Sequence, residues 1–211
     1  DGYLRLVITR GEGSLGVDPR SCPRATSFIV ADRLVMADAD VHARGARLIV
    51  ASTRRLAADE IDPRVKSLNY LNQILARLEA NSAGADEALL LNRAGHIAEG
   101  TADNLFVVDG GLLATPPLTD GALDGVTRGV VLELAEDLGI GCVERSLSPY
   151  DLYNADECFL TGTGAEMIPV ASVQGRPIGD GARPWFQRLQ AAFRALIRSE
   201  TSGVPSPGHR N

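Results

Sequence analysis

Lysine is all but missing from this chain of 211 residues: of its 21 basic side chains, 20 are Arg and one, Lys66, is Lys. Basic charge is short altogether, because 27 acidic residues leave a net charge of −6. Such a surface has no basic stripe with which to neutralise phosphates, which argues against a nucleic-acid or anionic-membrane partner. Cysteine is scarce too. Cys22, Cys142 and Cys158 form an odd, widely spaced set without a C-x-x-C pair or a Cys/His cluster. That pattern argues against a disulfide framework or a zinc site and suits a reducing, cytoplasmic compartment. No apolar run approaches the roughly 18–20 residues of a membrane span, and no signal peptide opens the chain. An initiator Met is lacking as well. The opening "DGYLRLVITRG" lies inside or just before a strand, and reads as a fragment or processed chain with residues missing upstream.

What is present describes an ordinary globular protein, 45% hydrophobic and 23% charged, long enough for one large or two small domains. "YLRLVITRG" (3–11), "TSFIVADRL" (26–34) and "GARLIVAST" (45–53) read as strands, with Gly- and Pro-dense turn chemistry between the first two. From Ser67 the period changes. Leu68, Leu71, Leu75 and Leu78 recur at helical spacing, which predicts an amphipathic helix starting at Lys66 and ending near Gly84. "EALLLN" with "HIAEG", and "NLFVV" with "LLATPP", predict two hairpins. A helix over 127–139 closes on Gly139. "CVERSL" reads as a strand, "ECFLTGTGAEMIPVASV" as two strands about a Gly-rich turn, and "PWFQRLQAAFRALIRSE" as a final amphipathic helix before a frayed tail. Strands and helices mix without regular βαβ alternation, so the expected class is α+β with a mixed, barrel-like sheet.

Four features carry chemistry. In a chain that uses Arg for every other positive charge, Lys66 is either a solvated surface residue or a position where an amine is needed, since a primary amine can lose its proton and bond a carbonyl carbon while guanidinium cannot. Tyr70, four residues on, is expected on the face that Lys66 presents. Glu99, in "HIAEG", is an acid on a hairpin bound for the core, where burial demands a partner. "GALDGVTRGV" sets Gly125, Val126 and Thr127 at a helix N-terminus, which is either an anion cradle or a plain Thr cap. "TGTGAE" (161–166) is a second small, hydroxyl-rich turn able to meet an anion. An amine, a buried acid and two anion cradles match the needs of pyridoxal 5′-phosphate (PLP).

The chain resembles the fold-type IV PLP-dependent aminotransferases, aminotransferase class IV, and among them most closely the branched-chain amino acid aminotransferases. The resemblance rests on "KSLNYLNQILARLEA", "GADEALLLN", "EGTADNLFVV", "TPPLTDGALDGVTR", "DLYNADECFLTGTGAE" and "PV", in the family's order and spacing. It implies that Lys66 bonds the cofactor's aldehyde, Glu99 meets the pyridine nitrogen and Tyr70 the phenolic oxygen, and Leu123 packs on the ring. Val126, Thr127 and Thr163 would hold the phosphate, and Thr163 and Gly164 the substrate carboxylate. The implied reaction is transamination between Leu, Ile or Val and 2-oxoglutarate by a homodimer. A D-amino-acid aminotransferase, an aminodeoxychorismate lyase and a non-catalytic binding or assembly homologue stand as alternatives. The implied domains are the remainder of a small N-terminal α/β domain (1–53), a linker (54–65), a PLP-binding domain (66–198) and a tail (199–211). Ala102 and Gly164 depart from the usual Gly and Ala, "ARPWFQRL" lacks the family's Gly-Pro-x-Thr, and neither Arg54 nor Arg55 matches the phosphate-binding Arg motif.

Overall fold

The computed structural model of the chain describes residues 2–33, 39–57 and 59–202. Two units are distinguished, residues 1–36 and 37–211. In the first, β1 (Tyr3–Thr9) and β2 (Thr26–Asp32) pair antiparallel, from Tyr3 opposite Asp32 to Thr9 opposite Thr26. Both are runs of the β-branched and apolar residues that suit a pleated surface. Their connection holds a single 3-10 turn, Pro19–Ser21, capped by Asp18, whose carboxylate accepts the Arg20 N–H at 3.0 Å. The expected strand over 26–34 therefore ends at Asp32, and Leu34 lies outside the described residues.

The second unit is built on a mixed sheet, nine-stranded among the described residues. It comprises β3 (Ala46–Val50), β4 (Glu87–Leu91), β5 (Ile97–Glu99), β6 (Asn104–Asp109), β7 (Leu112–Thr115), β8 (Cys142–Glu144), β9 (Glu157–Gly162), β10 (Glu166–Val173) and β11 (Arg176–Pro177). The spatial order is β5-β4-β3-β10-β9-β6-β7-β8, with β11 on β10. The three parallel pairs, β3 with β4, β3 with β10 and β7 with β8, are joined by long connections. Both predicted hairpins form, β4 with β5 and β6 with β7, as does the β9–β10 pair.

Alternation along the strands sorts side chains into two cores. Leu89, Leu91, Leu105, Val107, Leu160 and Val170 point into one. Phe106, Val108, Phe159 and Met167 face the other, where they meet α3 (Val126–Asp137) through Val131 and Ala135. Helix α5 (Pro184–Thr201) joins that core through Phe186, Leu189 and Phe193. Its start is fixed from outside the helix. The Glu157 carboxylate of β9 accepts the Trp185 and Phe186 N–H groups at 2.9 and 2.8 Å, and Pro184 occupies the position that needs no donor. Two short helices, α1 (Ala39–Arg44) and α4 (Pro149–Tyr153), have no counterpart among the sequence expectations. Five or six residues are too few to show an apolar period. A Ser148–Asp151 capping box opens α4.

Helix α2 corrects two expectations. It runs Leu71–Ser82, so Lys66 to Tyr70 precede it as non-helical chain. Its periodic leucines do not face a core: Leu71, Leu75 and Leu78 are 63%, 46% and 54% exposed. Ala76 and Ala80 are the buried side chains, packed with Ala51, Ala88 and Leu90. Two Ala residues one turn apart let the helix backbone approach β4 closely, leaving no room for larger groups on that side. β3, which falls within the stretch expected to be the remainder of a small domain (1–53), pairs within the sheet of the second unit.

Candidate active site

A cleft of about 590 Å³, open solvent included, lies within the second unit. Arg55, Lys66, Tyr70, Glu99, Asp103 and Leu123 are among its lining residues. Four residues singled out from the sequence (Lys66, Tyr70, Glu99 and Leu123) thus share one cavity. Lys66 reaches it from the irregular stretch before α2, where the Ser67 N–H bonds Val65 O and the Tyr70 N–H bonds Leu68 O. Its side chain is exposed to solvent, and Nζ donates to Tyr70 Oη at 3.2 Å. The four-residue spacing brings amine and phenol together as expected, through a turn rather than a helix face. Among the described residues, no carboxylate lies within salt-bridge distance of Lys66.

Glu99 ends β5, with 6% of its surface exposed. Burial pushes its pKa up, and three groups oppose that push: the Arg55 guanidinium, the Leu123 N–H and the charge of Lys66. Arg55 Nη2 lies 2.8 Å from Glu99 Oε1, while Glu99 Oε2 accepts the Leu123 N–H at 2.8 Å. Asn104 Nδ2 lies 3.4 Å from that same oxygen and donates to Leu123 O at 2.9 Å. The sequence demanded a partner for a buried Glu99, and that demand was the one available signal for Arg55. Nothing local marks Arg55, because it sits in a polar connection and meets Glu99 only through the fold.

Glu99 is not the only buried acid among the described residues. Glu87, Asp103 and Glu157 are buried too. The Asp103 carboxyl is pushed up to about 7, first by burial and then by the charge of Glu87, and its Oδ1 has no hydrogen-bond partner. Glu87 is held by Arg77 at 2.8 Å and by the Ala88 and Thr101 N–H groups at 2.7 and 3.2 Å.

The expected anion site lies outside the cleft's lining. Helix α3 opens at Gly125 with no side-chain cap, so its first N–H groups are available to an anion, in a helix long enough for its dipole to matter. Thr127 is buried and Val126 is 78% exposed. Thr163 and Gly164 are exposed in the β9–β10 turn. Gly125 leaves room for Asn104, whose Oδ1 a Cβ at position 125 would displace. The described residues hold no cluster of three or more His, Cys, Asp or Glu suited to a metal ion. No described helix is long and apolar enough to cross a membrane.

Comparison with known proteins places these residues in context. The model of the amino-transferase class IV family matches residues 1–173. A putative branched-chain-amino-acid aminotransferase of Methanocaldococcus jannaschii is 49% identical over 180 residues, covering 85% of this chain and 62% of that protein. The branched-chain-amino-acid aminotransferase of Escherichia coli K12 is 39% identical over 203 residues, 94% of this chain and 65% of the relative. A crystal structure of the E. coli branched-chain amino acid aminotransferase superposes with a TM-score of 0.90 at 38% identity, covering 94% of this chain and 66% of that one. The branched-chain amino acid aminotransferase of Thermobaculum terrenum in its PLP form superposes with a TM-score of 0.82 at 33% identity, covering 94% and 64%. The chain spans 62% and 65% of the length of the two curated relatives.

Proposed function

This chain belongs to the amino-transferase class IV family, and from that membership we propose that it is part of a PLP-dependent aminotransferase that moves an amino group between a branched-chain amino acid and 2-oxoglutarate. The observation that carries the reading is the placement of the only Lys of the sequence, its amine out of salt-bridge distance of any carboxylate among the described residues, in one cleft with the buried Glu99.

The residues suit PLP. Glu99 offers a buried carboxylate to a pyridinium N–H, the cleft exposes one amine, and α3 offers an uncapped N-terminus to a phosphate. When bound, the cofactor supplies an aldehyde for an amine and a ring that draws off the electron pair left by a broken Cα–H bond. Lys66 Nζ would supply that amine and, once free again, would act as the general base that takes up and moves the substrate's Cα proton. Tyr70 Oη accepts from Nζ at 3.2 Å and would meet the cofactor's phenolic oxygen. Glu99 would accept a hydrogen bond from the ring nitrogen, and Leu123 would flank the ring. The N–H groups of Val126 and Thr127 would hold the phosphate together with the Thr127 and Thr163 hydroxyls, and the backbone at Thr163 and Gly164 would take the substrate carboxylate.

We extend the reading to a cytoplasmic homodimer. The outward leucines of α2 and three free cysteines support it. Light scattering on the whole protein tests the dimer.

Borohydride reduction of the PLP-loaded whole protein, followed by peptide mass mapping, tests the chemistry. A reduced phosphopyridoxyl adduct on Lys66 is expected, and an adduct elsewhere or none overturns the assignment. Assays with Leu, Ile, Val, D-alanine and aminodeoxychorismate then separate the branched-chain reading from its two enzymatic alternatives.

A further inference from the structure

Arg55 has no part in the chemistry just described, yet it is 8% exposed and lies on the carboxylate at the floor of the cleft. Three contacts hold it. Its backbone N–H bonds Leu91 O at 2.9 Å, its Nε donates to Gly121 O at 2.9 Å, and its Nη2 meets Glu99 Oε1 at 2.8 Å. Gly121 accommodates this path. It has φ +103°, and a Cβ there would stand 3.1 Å from Arg55 Cγ. The other Glu99 oxygen accepts the Leu123 N–H, so each oxygen of the carboxylate has its own partner.

Guanidinium does not release its proton in a protein. A buried Arg55 opposite a neutral Glu99 would be an unpaired charge in the interior, which costs far more than the ionised pair. The charged or titratable groups that bear on Glu99 are Arg55 and Lys66, which favour its charge, and Asp103, whose carboxyl is kept neutral more readily by Glu99 and Glu87.

We propose that Arg55 is a positioning residue: it keeps Glu99 ionised and in one orientation, so that a charged acceptor for a ring N–H is in place before any ligand enters the cleft. The proposal rests on the reading of the cleft given above, in which Glu99 faces the pyridine nitrogen. Gln at position 55 would retain a donor and lose the charge. Lys would retain the charge, but without the planar fork it cannot serve Glu99 and Gly121 together.

The test uses the whole protein in wild-type, Arg55→Gln, Arg55→Lys and Arg55→Gln/Glu99→Gln forms. Without cofactor, melting temperature is followed against pH. With its counter-ion removed, Glu99 has a folded pKa raised further above its unfolded value, and stability falls as pH climbs through that window. Arg55→Gln is expected to lose about 5 °C more than wild type between mildly acidic and alkaline pH. The double variant, with no ionisable group at position 99, loses this added slope, and Arg55→Lys lies between wild type and Arg55→Gln. With PLP labelled at the ring nitrogen, 15N NMR reports protonation directly: protonated in wild type, shifted towards the unprotonated value in Arg55→Gln. Arg55→Gln melting curves parallel to wild type, or an unchanged nitrogen shift in a variant that binds PLP, would overturn the proposal. A wild-type protein that binds no PLP would instead sink the aminotransferase reading, while the melting curves still decide whether Arg55 sets the charge of Glu99.

Discussion

Glu79 of α2 grips Thr53 twice, its Oε1 accepting the Thr53 N–H at 2.9 Å and hydroxyl at 2.6 Å. Its Oε2 does the same for Ser52 at 2.6 and 2.8 Å. One carboxylate therefore ties the helix that follows Lys66 and Tyr70 to the loop that leads into Arg55. These bonds pull the Glu79 pKa down to about 2, the Thr53 hydroxyl contributing most. Glu79→Gln imitates the protonated acid and is expected to cost about 1 kcal/mol at neutral pH, a small figure because the site is open to solvent. A depressed folded pKa contributes stability above the unfolded value and loses it on acidification. The gap between wild type and variant should therefore close as pH falls from 4.5 towards 2. Urea midpoints across that range measure it, and a gap that does not narrow would show that the charge is irrelevant.

Gly125→Ala probes the link between the α3 terminus and Glu99. The backbone at Gly125, φ −75°, accepts any residue, so the penalty is steric and falls on Asn104. Displaced Asn104 would lose its bond to Leu123 O and its approach to Glu99. PLP affinity in the whole protein should weaken by about tenfold, equivalent to one such hydrogen bond to a charged group. Equilibrium dialysis against PLP reads the effect, and unchanged affinity would detach Asn104 from the site.

Asp103 is expected to make stability fall as pH rises. Its folded pKa of about 7 stands above the ordinary 3.8, so the folded state resists an ionisation that the unfolded chain accepts freely across that interval. Asp103→Asn keeps the shape and removes the ionisation. Its stability relative to wild type should grow by a few kcal/mol from acid to neutral pH, on the scale of about 1.4 kcal/mol per pKa unit. Denaturation at several pH values between 3.8 and 7 tests this. A flat difference would mean that Asp103 titrates normally.

Glu157→Ala removes the cap of α5 while leaving the helix sequence intact. Two N–H groups lose a charged acceptor and the helix dipole loses its anion, which together should cost about 2 kcal/mol. Hydrogen exchange is expected to quicken first at Trp185 and Phe186. Protection unchanged there would assign the start of α5 to Pro184 alone.

The sequence made the strands, hairpins and long helices readable because each carries its own periodicity, and it marked Lys66 by scarcity. It could not show which way α2 turns. Leucines at helical spacing normally announce a core, but Ala76 and Ala80 win the buried side because only small residues allow close approach to β4. Arg55 was equally hidden. It lies 44 positions before Glu99 in a polar stretch, and their contact is created by the sheet order that sets β4 and β5 beside β3. The raised Asp103 has a comparable cause, since Glu87 and Asp103 face each other only after β4 is placed near the turn that follows β5.

The Lys66–Ser67 peptide bond lies outside every helix and strand, with the lysine side chain exposed. A lysine-specific protease consequently has a single scissile bond in these 211 residues, and it recognises the free ammonium. The chain thus carries its own footprinting site: cleavage in two is expected while the amine is bare, and survival of the whole chain once the amine is bonded to another molecule.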